Sequence, residues 1–69
     1  MKKTYKFETA EKAREVVKKV SDDIGYRFQE MNSIAVAYDG PNEAVVKNGD
    51  RLEAYNQKAQ QKIEELKQG

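Results

Sequence analysis

The sequence predicts a small α+β domain of order β-α-β-β-α, with a three-stranded antiparallel-type sheet and two helices on one face. Three observations predict it. Ala10, Ala13, Val17, Val20 and Ile24 recur at steps of 3, 4, 3 and 4, the spacing that stacks side chains on one face of a helix. Two short aromatic segments, Tyr5 to Phe7 and Tyr26 to Phe28, flank that stripe. Leu52, Tyr55, Ala59, Ile63 and Leu66 recur at 3, 4, 4 and 3, which marks a second amphipathic helix.

Taken in order, Thr4 to Glu8 alternates, with Tyr5 and Phe7 on one face and Thr4, Lys6 and Glu8 on the other, as in a half-buried strand. Thr9 is a suitable N-cap, because its hydroxyl can accept an orphan backbone N–H. Glu11 follows in the first turn, where the helix dipole favours an acid. Gly25 suits the left-handed residue that ends a helix. The first helix is therefore expected over 10–24. Tyr26 to Glu30 alternates again, Asn32-Ser33 supplies turn residues, and Ile34 to Tyr38 alternates large and small. Together these predict a β-hairpin of strands 26–30 and 34–38.

Asp39 to Glu43 reads as a helix start, with Pro41 at the first helical position. Val45, Leu52, Ala59 and Leu66 keep phase at seven-residue steps, which favours one long helix from about 42. Against it stand the turn dipeptide Asn48-Gly49 and the capping-box pair Asp50 and Glu53. The rival reading makes Ala44 to Lys47 a strand and starts the helix at Asp50. A right-handed crossover puts both helices on one face. The arrangement resembles a ferredoxin-like fold that lacks its last strand, with strand 34–38 between 4–8 and 26–30. That is a resemblance of architecture and carries no activity with it.

At 69 residues the chain forms one domain, 1–69, which buries only about 60% of its unfolded surface. There is no cysteine and no histidine, so disulfides, thiolate metal sites, imidazole ligands and Ser-His or Cys-His nucleophile systems are excluded. The carboxylate pairs Asp22-Asp23 and Glu64-Glu65 sit on adjacent helical positions, which do not face each other. Asp39, Asn42 and Glu43 lack the ligand pattern of a calcium loop. Gly40 and Gly49 belong to no phosphate-binding motif. No enzyme activity, cofactor, metal or small-molecule ligand is expected.

The basic start at Lys2-Lys3 has no apolar stretch behind it, and no run reaches the ~20 residues of a membrane span. A cytoplasmic protein with no membrane partner is expected. The net charge is +1, and only residues 1–9 are locally basic. Nucleic acid is therefore disfavoured, and Lys2, Lys3, Lys6 and Arg27 are the residues that would serve it. An RNA-binding sheet would also need exposed aromatics. The outer face is expected to carry Lys6, Arg27, Gln29, Met31, Ala35 and Ala37 instead. Strand 4–8 would leave an unpaired edge open to a second chain, unless its lysines protect it. The small patch at Met31, Ala35 and Ala37 could also be covered. A helix from 42 would run about 40 Å, against about 17 Å for the sheet, and would expose Ile63 and Leu66.

The sequence thus favours a non-enzymatic interaction module, self-associating or binding another protein. Its expected contact residues are Tyr55, Ile63 and Leu66 on the C-terminal helix and Lys3, Tyr5 and Phe7 on the edge strand. A small nucleic-acid-binding or regulatory protein is the alternative. A designed protein with no function beyond folding is a third.

Overall fold

A computed structural model describes residues 2–30, 35–47 and 53–68. Its elements are β1 (Lys3–Lys6), α1 (Ala10–Ile24), β2 (Val36–Gly40), β3 (Glu43–Val46) and α2 (Glu53–Gln68). The order β-α-β-β-α is the expected one, and the sheet is antiparallel throughout, with strand order β1-β3-β2. The third strand lies between the first and second, as in a ferredoxin-like sheet without its fourth strand.

Helix α1 has the predicted bounds. Thr9 is extended, with φ −137° and ψ 157°, and its Oγ1 accepts the Lys12 N–H at 3.1 Å. Gly25 closes the other end with φ 80°, a conformation that side chains other than glycine adopt only at a cost. The Tyr26 N–H returns to the Ser21 carbonyl at 3.0 Å. Ala13, Val16, Val17 and Val20 are buried. Val16 broadens the stripe, because positions three and four residues back from Val20 both face the core.

Two strand assignments are corrected. Segment 26–30 is not a strand, since 28–30 are helical. The Glu30 carboxylate accepts the Arg27 backbone N–H at 3.2 Å, half of a capping box, which starts a helical turn at 28. The continuous helix from 42 is also overturned, because 43–46 is the central strand. The rival strand over 44–47 is the better reading, and the hairpin joins β2 to β3. Its turn uses Pro41 and Asn42 and is closed by the Tyr38 hydroxyl donating to the Pro41 carbonyl. A bulge falls between Tyr38 and Gly40. The chemistry read as a helix start is turn chemistry. Strand 34–38 becomes Val36–Gly40, and the helix start near Asn42 gives way to strand β3; the described part of α2 runs Glu53–Gln68, and the expected start at Asp50 lies outside the described residues.

Both helices pack on one face of the sheet. Tyr5, Phe7, Val36, Ala44 and Val46 meet Ala13, Val16, Val17 and Val20 of α1 and Ala59 and Ile63 of α2 in one core. Val45 is only 2% exposed yet stands apart from that cluster. It lies on the far face, between Thr4 of β1 and Ala37 of β2. A central strand covered on both faces shows no alternation.

Candidate interaction surface

The edge of β1 is defined by its register. Residues 3 to 6 pair with 46 to 43 of β3, and the Phe7 N–H donates to the Asn42 carbonyl at 2.8 Å, continuing the same ladder. Hydrogen-bonded pairs alternate in an antiparallel ladder. Phe7, Tyr5 and Lys3 therefore use their backbone groups on β3, and those of Thr4 and Lys6 point away from the sheet. Neither residue makes another backbone hydrogen bond among the described residues. Two N–H and two C=O groups form a free edge.

Helix α2 overlooks that edge. Lys3 Nζ pairs with Glu64 Oε1 at 2.6 Å, and Lys67 Nζ stands 5.7 Å from the centre of the Phe7 ring. A hollow of about 610 Å³ lies between, lined by Lys3, Thr4, Tyr5, Glu64, Lys67 and Gln68. A second, of about 470 Å³, adjoins it where β1 passes into α1, with Lys6, Glu8, Lys12 and Lys67 among its lining. The two hollows together carry four lysines against two glutamates. The Lys3 ammonium holds the Glu64 carboxyl below its ordinary range, and Glu64 raises Lys3 in return. Burial pushes the Tyr5 hydroxyl up, opposed by nearby Lys3. That hydroxyl is sealed from solvent, with no hydrogen-bond partner within reach among the described residues.

The expected contact residues divide. Lys3 is exposed at the edge, and Tyr5 and Phe7 face inward with little surface left. Ile63 is fully buried in the core, so it offers no contact surface. The reason is the face it occupies: Asn56, Ala59 and Ile63 are the buried positions of α2, and Ile63 packs into the core with α1 and the sheet. Leu66 is half-buried against the core. Tyr55 is exposed and meets Tyr26 edge-to-face, with ring centres 4.8 Å apart. Lys2 and Lys6 are exposed on or beside β1. Arg27 is exposed but lies outside the sheet, so it does not share a strand face with them.

The outer sheet face is also corrected. Ala35 belongs to the core, Arg27 and Gln29 are not on a strand, and Met31 lies outside the described residues. Of the two carboxylate pairs, Asp23, Glu64 and Glu65 are tied into surface ion pairs: Asp23 with Lys62 at 2.8 Å, Glu65 with Lys62 at 3.8 Å, and Glu64 with Lys3. Among the described residues no cluster of three acidic groups could hold a metal, and no helix is long and apolar enough to cross a membrane. Glu64, Lys67 and Gln68 were not singled out from the sequence as parts of this surface. The Lys3–Glu64 pair joins residues 61 positions apart, and no local pattern signals it.

No protein-family model matches the chain, and neither a curated protein nor a solved structure matches it.

Proposed function

We propose that this chain is a non-enzymatic interaction module that binds another protein through the free edge of β1 and the last turns of α2. One observation carries the reading: Thr4 and Lys6, whose backbone groups point outward, border two adjoining hollows that Lys67 and Gln68 of α2 also line. An open edge of this kind accepts a further strand by main-chain hydrogen bonding. Lys2, Lys3 and Lys6 discourage indiscriminate pairing without closing the edge.

The test is a photo-cross-linking side chain placed at Lys6, compared with one at the exposed Arg14 on α1. Cross-links to one defined protein are expected from Lys6 and not from Arg14, and Thr4→Pro should abolish them. Proline at position 4 removes an outward N–H and leaves the ladder to β3 intact. Equal cross-linking from both positions, or indifference to Thr4→Pro, refutes the reading.

A further inference from the structure

The geometry points to the occupant of the β1 edge: an extended segment of another protein, with acidic side chains on its outward face. The inference rests on the interaction module proposed above and names its partner.

Helix α1 packs over β2 and β3, and α2 packs on α1 and β3 and meets the β1 edge through the Lys3–Glu64 ion pair and the Lys67–Phe7 contact. The hollow lined by Lys3, Tyr5 and Glu64 lies between that edge and the last turns of α2.

This space selects the occupant. A second copy docking its own β1 there would set its Lys2, Lys3 and Lys6 against the same lysines. An acidic strand meets no such repulsion. Side chains of the incoming strand alternate between two faces. Those pointing under α2 meet the Phe7 ring, the rim of Tyr5 and the stem of Lys67, which suits aliphatic groups. Those pointing outward lie beside Lys2, Thr4 and Lys6, which suits carboxylates. The charge of the two hollows has the same sign.

The experiment titrates blocked hexapeptides into ¹⁵N-labelled protein and follows the amide resonances. One peptide alternates glutamate and valine, and a second alternates lysine and valine. A third is the acidic peptide with its edge-facing amides N-methylated. The acidic peptide should shift the Thr4 and Lys6 amides and bind about tenfold more tightly than the lysine peptide, a ratio that a few exposed charge pairs supply. N-methylation should abolish binding, and so should Thr4→Pro. The methylated peptide keeps the test valid should that variant fail to fold. Equal binding of both charged peptides, lost on N-methylation, overturns the acidic preference and supports edge docking. Acidic binding that survives N-methylation is loose charge attraction and overturns the strand. Displacement of the peptide by a single-stranded oligonucleotide at matched charge assigns the lysines to nucleic acid and overturns the inference. A dimer in sedimentation that Thr4→Pro dissolves makes the occupant a second copy and overturns it likewise. No shift with any peptide overturns this inference alone, because the cross-link from Lys6 judges the broader reading independently.

Discussion

Replacing Asn56 with leucine should stabilise the domain. Asn56 lies on the inward face of α2, ahead of Ala59 and Ile63, and is 3% exposed. Neither its amide nitrogen nor its amide oxygen has a hydrogen-bond partner among the described residues. A buried amide without partners costs about 1–3 kcal/mol in desolvation. Leucine shares the branched shape of asparagine and carries no such cost, and its bulkier methyl groups add apolar burial at some expense in crowding. Asparagine is also the poorer helix former, but that difference is at most about 0.7 kcal/mol. The expected gain is therefore about 2 kcal/mol, of which propensity explains the smaller part. For a domain of this size each kcal/mol moves Tm by about 4–8 °C, so Asn56→Leu should melt about 8–16 °C higher. Thermal and urea unfolding followed by far-UV circular dichroism measure this, with an unchanged urea slope as the control for a two-state change. Asn56→Ala separates the contributions, since it removes the orphan amide but leaves a void, and it should fall between wild type and leucine. A loss of 1 kcal/mol or more in both Asn56→Leu and Asn56→Ala would show that the amide is satisfied in solution and refute the reasoning.

Three further outcomes follow from the same geometry. Gly25→Ala should cost about 1 kcal/mol, because φ 80° brings the new Cβ into the left-handed penalty; a variant as stable as wild type in urea would place the α1 terminus in another conformation. Ile63→Ala should cost about 2–5 kcal/mol, since Ile63 is wholly buried between the helices, and in so small a domain much of the protein should then be unfolded at 37 °C by circular dichroism. Glu64 has a folded-state pKa below its ordinary 4.5 because the Lys3 ammonium donates to it. A lowered carboxyl pKa contributes stability that is present above the unfolded value and is lost as pH falls through the folded one. Tm should therefore decline below about pH 4.5, the decline should shrink at high salt because the pair is exposed, and Lys3→Met should flatten it; an unchanged profile in that variant would exclude the pair as its source.

The parts of the fold that local chemistry dictates were legible, and those that depend on layer position were not. Helix α1 could be read to the residue because Thr9, the valine stripe and Gly25 each specify the same segment independently. Strand β3 was obscured because its position is central. Ala44 and Val46 face the helices, Val45 faces away, and all three are buried, so the run lacks the alternation that marks a half-buried strand. A short apolar run of that kind cannot be told from a buried helix by periodicity. Val45 also stands seven residues from Leu52, in step with Ala59 and Leu66, which lent it a false helical phase. Segment 26–30 misled for the opposite reason. Its alternation is real, but Glu30 caps the Arg27 backbone N–H, and any residue but proline at position 27 supplies that donor. Tyr26 spends its ring on Tyr55 across the helices instead of on a neighbouring strand.

The candidate surface divides along the same line. Its backbone half follows from strand count alone: a three-stranded sheet whose third strand is central must leave the first at an edge, whatever side chains that edge carries. Its side-chain half requires α2 to be placed over β1, and Lys3, Glu64, Phe7 and Lys67 meet only after the chain has folded. That difference sets how each half responds to mutation. Backbone hydrogen bonding at Thr4 and Lys6 survives nearly every substitution except proline, whereas the charge character of the hollows changes with any one of Lys3, Lys6, Lys12 or Lys67. On the proposed reading, docking as such would be the robust property of this surface, and partner choice the readily altered one. Lys67→Glu should accordingly leave the edge competent and shift its preference away from acidic strands.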